Sequence, residues 1–354
     1  MSTALEATGL SKDFKLSGGQ VLHAVADVSL RLDRGAVVAL VGESGSGKST
    51  VARLLAGQDL PTSGEVRLDG QPIDVATRAA FRRYKSEVQL VFQDPFASLN
   101  PIHTVRHHLE RPVRLHWQTP AVRSAGGRPE TALRRQAPHG RPGSKAEVGK
   151  EVDELLEQVR LTPAGQFASK YPHELSGGQR QRVSFARALA AHPAVLLADE
   201  PVSMLDVSIR LEMLRLLDDL RQRLRLAMLY ITHDIASARY FSDEILVMYA
   251  GQIVERGPAE ELTQHPAHPY TQLLVASAPD PDNLGSSLRG GAPVSRRIPE
   301  VAGQAPSGCP FSSRCPFADD HCRQENPPPQ PVSASRSAAC WRLDVAAPDV
   351  ISNQ

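Results

Sequence analysis

Short apolar runs recur along the chain, and each is followed by a polar or glycine-rich segment. The run 36–41 precedes a glycine-rich segment, and the run 195–198 precedes two carboxylates. Similar runs end just before Gln93 and His233. Such runs are typical of strands buried in a parallel sheet, and helical patterns alternate with them. The pattern predicts an α/β fold in which a helix begins near Ser49.

The glycine-rich segment fits a phosphate-binding pattern. Residues 42–50 read Gly-Glu-Ser-Gly-Ser-Gly-Lys-Ser-Thr, which matches the P-loop G-x-x-x-x-G-K-[ST]. Glycines let a backbone wrap a polyphosphate, and inward N–H groups and the helix dipole attract its charge. We expect Lys48 to reach the β- and γ-phosphates of ATP, Ser49 to bind Mg²⁺ and Thr50 to assist at the α-phosphate. The predicted ATP contacts of this loop are Gly42, Ser44, Gly45, Gly47, Lys48, Ser49 and Thr50.

Two carboxylates follow the apolar run 195–198. Asp199 and Glu200 would stand at the tip of a central strand, where ligands bind in open parallel sheets. Because Mg²⁺ keeps several waters, we expect Asp199 to hold it through its water shell. Glu200 lies one residue farther and could act as the general base on the water that attacks the γ-phosphate. Without a P-loop in the chain, such a pair would more often be a helix cap or a surface turn.

The segment Leu175-Ser176-Gly177-Gly178-Gln179 precedes these carboxylates. Together with the P-loop it resembles the signature of the ATP-binding cassette (ABC) superfamily, and the chain resembles the ATPase subunit of an ABC transporter. The resemblance implies an ABC-type P-loop core over residues 1–257, with a helical subdomain at about 94–190. It also implies that the signature serves the ATP of a partner cassette. The residues expected to contact that ATP are Ser176, Gly178 and Gln179.

Four more positions take roles from this resemblance. Gln93 would contact Mg²⁺ or the attacking water and would head the segment that touches the membrane partner. His233 would donate a hydrogen bond to the γ-phosphate, and Asp206 would couple the two ATP sites. Phe14 is the candidate to stack on adenine, and a buried core phenylalanine is the alternative interpretation.

Residues 258–354 resemble the C-terminal extension of oligopeptide and dipeptide importer ATPases. The resemblance rests on the segment 268–274, His-Pro-Tyr-Thr-Gln-Leu-Leu, and on the segments 92–95, 98–101 and 171–174. It implies an ATPase that powers import of di- or oligopeptides from the cytoplasmic face of the inner membrane. The partners implied are a second, related ATPase subunit, two transmembrane permease subunits and an extracytoplasmic substrate-binding protein. The same branch includes importers of glutathione, nickel complexes and oligosaccharides, so the cargo stays open.

The extension contains all four cysteines of the chain, Cys309, Cys315, Cys322 and Cys340. Because a cytosolic protein seldom keeps structural disulfides, such a group favours a metal site. The spacings of five, six and seventeen residues lack the C-x-x-C element of most structural zinc sites. A 4Fe-4S cluster suits four thiolates in such a loop at least as well. The sequence leaves three alternatives: an iron–sulfur cluster, zinc, or reduced thiols in a small core.

Residues 111–146 are rich in arginine, proline and glycine, and no apolar period runs through them. Such a segment buries too little apolar area to offset its ordering entropy, which predicts an irregular surface loop. An alternative is contact with lipid headgroups beside the membrane partner.

Length and charge restrict the remaining function classes. A chain of 354 residues has room for one large α/β domain and a small appendage, and the net charge of +1 gives no signal for nucleic acid. No apolar run approaches the roughly 18 to 20 residues that cross a bilayer, and the first residues lack the pattern of a secretory signal. We therefore expect a peripheral subunit that uses a pore formed by other chains. A soluble ABC ATPase acting on ribosomes or DNA is the competing class, but it usually has two cassettes or a coiled-coil insertion, and neither is seen in this sequence.

Overall fold

The computed structural model describes residues 2–73, 77–94, 98–117, 144–278 and 308–347. The chain forms two compact units. The first combines Met1–Ile73 with Ala227–Gln354, and the second is Asp74–Leu226.

The first unit contains two sheets. Its strands are β1 (Thr3–Lys15), β2 (Val21–Asp33), β3 (Val37–Val41), β4 (Ser63–Leu68), β5 (Gln71–Pro72), β8 (Ala227–Thr232), β9 (Glu244–Tyr249), β10 (Gln252–Pro258), β11 (Gln330–Ser333) and β12 (Arg336–Ala338). One sheet is antiparallel, with the order β2-β1-β4-β5. In β2, buried Val28, Leu30 and Leu32 alternate with exposed Ser29 and Arg31, so only one face of this strand packs on the core.

The other sheet of the first unit has the order β11-β12-β10-β9-β3-β8. Strand β3 is buried along its whole length and pairs in parallel with β8 and β9, as its apolar run predicts. Val41 at the end of β3 pairs with Thr232 at the end of β8. Because parallel strands end at the same edge, the segments that follow β3 and β8 leave the sheet side by side.

Six helices belong to the first unit in the part of the chain that the structure describes. They are α1 (Lys48–Leu55), α8 (Ile235–Phe241), α9 (Ala259–Gln264), α10 (Pro269–Ser277), α11 (Asp320–Gln324) and α12 (Leu343–Ala346). Helix α1 begins directly after the glycine-rich loop and buries Val51, Leu54 and Leu55. The order of β3, loop and α1 is the strand–loop–helix arrangement expected of a P-loop.

The C-terminal extension shares the sheet of the first unit. Strand β12 pairs with β10 through Glu255 and Ala338. The side chains of Arg336 and Glu255 are almost completely buried and form an ion pair of 3.0 Å. The predicted boundary at residue 257 therefore falls inside this unit, just before β10 ends.

The second unit contains two parallel strands and a set of helices. The strands are β6 (Val88–Val91) and β7 (Val195–Asp199), and the helices are α2 (Arg78–Glu87), α3 (Val105–Leu115), α4 (Lys145–Gln158), α5 (Ala164–Ser169), α6 (Gly177–Leu189) and α7 (Val207–Leu224). Gln93 and Glu200 follow the carboxyl ends of the paired strands, so both leave from the same edge. Among the helices that the structure describes in the two units, none is long and apolar enough to span a membrane.

The structure corrects the ends of the predicted irregular segment 111–146. Its first residues belong to α3, which extends to Leu115, and α4 begins at Lys145. Helix α3 forms because Val105, Leu109 and Val113 make a buried stripe at a spacing of four residues, and this stripe starts before residue 111. Residues 118–143 lie outside the described residues.

Candidate functional site

The backbone of the loop 42–47 requires glycine at two positions. Gly47 has φ 103°, and a Cβ atom there would lie 2.3 Å from the carbonyl oxygen of Ala24. A Cβ atom on Gly42 would lie 2.1 Å from the carbonyl oxygen of Met248. Both distances are far below a real contact, so the chain can approach these carbonyl groups only without a side chain.

Lys48 lies over this loop at the start of α1. Its side chain is buried, and Nζ donates hydrogen bonds of 2.8 Å to the carbonyl oxygens of Gly42 and Glu43. Helix α1 has no side-chain cap at its N-terminus, which carries partial positive charge. Ser49, in the first turn, is exposed. An ammonium group, a helix N-terminus and a hydroxyl group are the three kinds of group with which P-loops bind a polyphosphate and its metal ion.

The other P-loop residues predicted to contact ATP also have defined positions. Ser44 and Gly45 are exposed at the tip of the loop, and Thr50 is half-buried in the first turn of α1. Gly45 has φ 81° and open space around its missing side chain. The tip therefore presents backbone rather than bulky side chains to solvent.

His233 follows β8 at the sheet edge from which the glycine-rich loop also leaves. The backbone N–H of Asp234 donates to Thr232 Oγ1 at 3.0 Å, and Asp234 Oδ1 accepts from the N–H of Ala236 at 3.0 Å. These bonds fix the turn between β8 and α8, and the imidazole of His233 is exposed. The turn thus presents a hydrogen-bonding side chain next to the end of β3.

The second unit brings Gln93 and Glu200 together. Gln93 Nε2 donates a hydrogen bond of 3.0 Å to Glu200 Oε2. Asp199 is the last residue of β7 and is buried, whereas Glu200 has a left-handed backbone with φ 45°. The hydroxyl group of Ser203 donates to the carbonyl oxygen of Glu200 at 3.0 Å and supports this conformation. The turn thus brings the Glu200 carboxylate to the amide group of Gln93.

The signature segment caps helix α6. Ser176 Oγ accepts from the backbone N–H of Gln179 at 3.3 Å, and Gln179 Oε1 accepts from the N–H of Ser176 at 3.1 Å, which is a capping box. Gly178 lies close to α7, because a Cβ atom there would be 2.9 Å from Ile209 Cγ2. Ser176 is exposed at the positive end of the helix. The Gln179 side chain is therefore bonded to the backbone of Ser176 and holds this residue in place.

Two predicted residues have simpler surroundings. Asp206 is exposed at the N-cap position of α7, and its carboxylate makes no capping bond to that helix. Phe14 lies near the end of β1, half-buried, with Lys12 Nζ 5.2 Å from its ring centroid. One face of this ring therefore already packs against a cation.

The four cysteines line one small cavity. They line it together with His268, Phe311 and Trp341, and none of the four forms a disulfide. Burial raises the pKa of Cys309 to about 11 and that of Cys340 to about 12. Burial also lowers the pKa of His268 to about 3, so its imidazole is neutral. Over residues 308–347 and the other described ranges, no three or more histidine, cysteine or acidic side chains are grouped closely enough to hold a single metal ion.

Glu43 and Arg314 were not predicted from the sequence, and they form a bidentate ion pair. Arg314 Nη1 and Nη2 donate to the carboxylate oxygens of Glu43 at 2.8 and 2.9 Å. Tyr270 also reaches this residue, because its hydroxyl oxygen accepts from the N–H of Glu43 at 2.8 Å. The only sequence signal was an acidic residue at a variable position of a phosphate-binding loop, and the arginine lies 271 residues away.

Two family profiles match the chain. The ABC transporter family matches residues 25–203, which include the glycine-rich loop, the signature and both carboxylates. The oligopeptide/dipeptide transporter C-terminal region matches residues 254–322, which include three of the four cysteines.

Proteins of similar sequence extend over almost the whole chain. A probable peptide ABC transporter ATP-binding protein of Sinorhizobium fredii is 40% identical, with 96% of this chain and 90% of the relative aligned. The di/tripeptide transport ATP-binding protein DppF of Pseudomonas aeruginosa is 38% identical over 92% of this chain and 94% of the relative. The oligopeptide transport ATP-binding protein AppF of Bacillus subtilis is 36% identical over 96% and 97%.

Solved structures of similar fold are ABC cassettes. The dimeric structure of the bacterial ABC transporter cassette MJ0796 has a TM-score of 0.60 and 28% identity, and it covers 72% of this chain and 98% of that chain. The structure of cbiO1 from Clostridium perfringens, part of an ABC transporter complex, has a TM-score of 0.59 and 27% identity, and covers 75% and 92%. These likenesses confirm the predicted α/β cassette fold, and the chain belongs to the ABC transporter family.

Proposed function

We propose that this chain hydrolyses ATP to power the import of di- or oligopeptides across the cytoplasmic membrane. The observation that carries the proposal is the pairing of a P-loop cassette with the oligopeptide/dipeptide transporter C-terminal region at residues 254–322. Relatives of 36 to 40% identity that span nearly the whole chain are named as peptide transport ATP-binding proteins. Glutathione, nickel complexes and oligosaccharides are the alternative cargoes of this branch.

In this proposal the first unit binds the phosphates. Lys48 would exchange its bonds to the carbonyl oxygens of Gly42 and Glu43 for phosphate oxygens and neutralise their charge. Ser49 would give its exposed hydroxyl group to Mg²⁺, and His233 would donate a hydrogen bond to the γ-phosphate. Phe14 would stack on adenine.

The second unit would act on the attacking water. Glu200 would accept its proton as general base, and the bond from Gln93 would hold the carboxylate in the required orientation. Asp199 would hold Mg²⁺ through water. A carboxylate fixed by its neighbour loses little freedom when the reaction begins, which supports this assignment.

Signature residues would complete the site of a partner. Ser176 lies exposed at the N-terminus of α6, where a helix attracts anions, and the capping box already fixes it. We propose that Ser176, Gly178 and Gln179 contact the ATP of a second, different cassette, and that the exposed Asp206 couples the two sites. The remaining partners would be two permease subunits and an extracytoplasmic binding protein, with this chain peripheral at the cytoplasmic face of the membrane.

Peptide uptake by cells tests the cargo. A strain that carries Lys48→Ala should fail to take up labelled di- and oligopeptides, because the P-loop lysine neutralises the phosphates. Lys150→Ala is the matched control, since this lysine is 80% exposed on α4 and should leave uptake unchanged. Normal peptide uptake with Lys48→Ala, together with loss of uptake of glutathione or a nickel complex, would move the assignment to that cargo.

We propose further that the four cysteines hold a 4Fe-4S cluster, with one zinc ion or reduced thiols as the alternatives. The observation that supports the proposal is the lining of one pocket by four thiols, the ligand set that such a cluster takes. Such a group would have a structural role, because ATP hydrolysis needs no redox step. Loading would release protons, since the raised pKa values of Cys309 and Cys340 keep the free thiols protonated.

Metal analysis of anaerobically purified protein distinguishes the three alternatives. The proposal predicts about four iron and four sulfide per chain and a broad visible absorption. One zinc per chain would show that the site holds zinc instead of a cluster. A colourless sample without either metal would show that the four cysteines are reduced thiols. Cys322→Ser should remove the colour.

A further inference from the structure

Glu43 places a negative charge in the loop that would bind a triphosphate. It is the second residue of the segment 42–50, and its side chain is 28% exposed. An anionic side chain next to phosphate groups repels them, and in a partly buried loop this repulsion is only weakly screened. The loop therefore needs a counter-charge for this carboxylate besides Lys48.

Arg314 supplies that charge from the C-terminal extension. Its two terminal nitrogens bind the two carboxylate oxygens of Glu43 at 2.8 and 2.9 Å, the fork-on-fork geometry of the strongest ion pairs. The arginine side chain is 6% exposed, and the carbon of its guanidinium lies 5.7 Å from the ring centroid of Tyr249 and 5.5 Å from that of Phe311. The packed rings and the carboxylate leave this guanidinium little freedom to move.

The backbone of Glu43 is held as firmly as its side chain. Its N–H donates to the hydroxyl oxygen of fully buried Tyr270 at 2.8 Å, and its carbonyl oxygen accepts from Lys48 Nζ at 2.8 Å. Tyr270 belongs to α10, so two separate parts of the extension, α10 and the loop before Cys315, hold one residue of the P-loop. The extension therefore fixes the position of Glu43 in addition to adding strands to the sheet.

We propose that Arg314 is a positioning residue for ATP: it neutralises Glu43 and holds its carboxylate away from the triphosphate, so that the extension sets the nucleotide affinity of the cassette. This inference rests on the proposal that residues 42–50 bind the triphosphate. It assigns a role in ATP binding to an arginine of the extension.

Equilibrium titration of the purified full-length chain with a fluorescent ATP analogue and Mg²⁺ tests the proposal. Arg314→Ala should raise the Kd about tenfold, the loss expected when a charge-assisted pair is broken and its anion stays behind. Arg314→Ala combined with Glu43→Gln should recover most of this affinity, since the uncompensated charge is gone. Arg314→Lys, which keeps the charge and most of the packing, should raise the Kd about threefold.

Two controls make the outcome decisive. Arg323→Ala removes an exposed arginine of the same extension that pairs with Asp320, three residues away, and it should leave the Kd unchanged. Lys48→Ala reports on the P-loop itself: if it binds ATP normally, the proposed phosphate site is wrong and this inference falls with it. If Lys48→Ala abolishes binding while Arg314→Ala binds like the parent, only the role of Arg314 is refuted. A double variant as weak as Arg314→Ala would also refute it, because a packing defect is not rescued by neutralising Glu43.

Discussion

Gly47 and Glu200 both have left-handed backbones, at φ 103° and 45°, but with different energetic consequences. Gly47 carries no strain because it has no Cβ atom, and its small size lets Ala24 approach. Glu200 has a Cβ atom, and its conformation costs about 1 to 2 kcal/mol. Bonds from Gln93 and Ser203 offset this strain and keep the carboxylate in one orientation. Single backbone angles thus decide where the proposed general base points.

Alanine at two P-loop glycines should have unequal effects. Gly45→Ala should lower the free energy of unfolding by about 1 to 2 kcal/mol, because φ is 81° but the space around the position is open. Gly47→Ala should lower the free energy of unfolding by more than this and abolish ATP binding, since its Cβ atom would overlap the carbonyl oxygen of Ala24. Thermal unfolding and nucleotide titration measure both effects. Equal losses of stability in the two variants would contradict the close approach at Gly47.

His268 should make stability depend on pH. Its imidazole is buried and neutral, with a folded pKa of about 3, and its Nδ1 accepts from the N–H of Tyr270 at 3.0 Å. In the unfolded chain this imidazole takes up a proton below pH about 6.5, whereas in the folded chain it stays neutral down to pH about 3. The stabilisation of the fold by neutral His268 is therefore complete above pH about 6.5 and is lost as the pH falls toward 3. The expected slope is about 1.4 kcal/mol per pH unit.

The variant His268→Asn keeps an N-cap acceptor for α10 but cannot titrate. Its thermal midpoint should fall less between pH 6.5 and 5 than that of the parent protein. Parallel curves for the two proteins would show that another group controls the acid sensitivity.

At the scale of elements, helix ends do most of the positioning. Helix α1 presents Lys48 and Ser49 directly after β3, and α6 begins at the signature with Ser176 as its cap. Each helix follows a segment whose backbone the sequence constrains, by glycine in the first case and by a capping box in the second. In the proposed mechanism these two N-termini bind the phosphate groups.

Replacing Ser176 separates its capping role from its proposed contact with the partner's ATP. Ser176→Ala should lower stability by about 1 kcal/mol, whereas Ser176→Asp should keep it, because aspartate caps as well as serine. Yet Ser176→Asp should block ATP-dependent pairing of cassettes, since its charge would face the phosphates. Chromatographic size with ATP, in a Glu200→Gln background, reports the pairing. If Ser176→Asp pairs as readily as serine, the trans contact is wrong.

The elements of the cassette could be predicted from the sequence because their signals are local. The apolar run 36–41 indicated β3, and the P-loop pattern indicated the start of α1 one residue from where it begins. The helical ends of 111–146 were missed because arginine and Pro112 obscured the stripe of apolar residues that α3 buries. The pairing of β12 with β10 left no periodic signal, since β12 has only three residues.

Contacts between distant residues were beyond sequence reasoning. The bond of Gln93 to Glu200 joins two predicted residues, but nothing in either segment indicates a direct contact across 107 positions. Arg314 and Glu43 lie 271 positions apart, and the sequence around either residue does not predict a contact with the other. The convergence of the four cysteines followed from their grouping in one segment, whereas their arrangement around the cavity depended on the folded loop.

For the whole molecule, the extension is built into the cassette rather than attached to it. The buried Arg336–Glu255 pair joins β12 to β10, and Arg314 and Tyr270 contact the P-loop residue Glu43. Breaking a buried pair on one side typically costs about 3 to 5 kcal/mol, so the extension and the sheet should unfold together. Family membership and the extension profile together favour an importer subunit over a soluble ABC ATPase.

The most direct test of the transport function is to identify the partners of the ATP-bound state. A tagged Glu200→Gln variant should bind ATP, turn it over at least about a hundredfold more slowly and remain in the closed complex. Glu157→Gln, an exposed glutamate of α4, is the matched control that should hydrolyse ATP normally. From detergent-solubilised membranes, the trapped variant should co-purify with two multispanning proteins and a second cassette. Recovery of ribosomes or DNA, or of no membrane protein at all, would contradict the transport function.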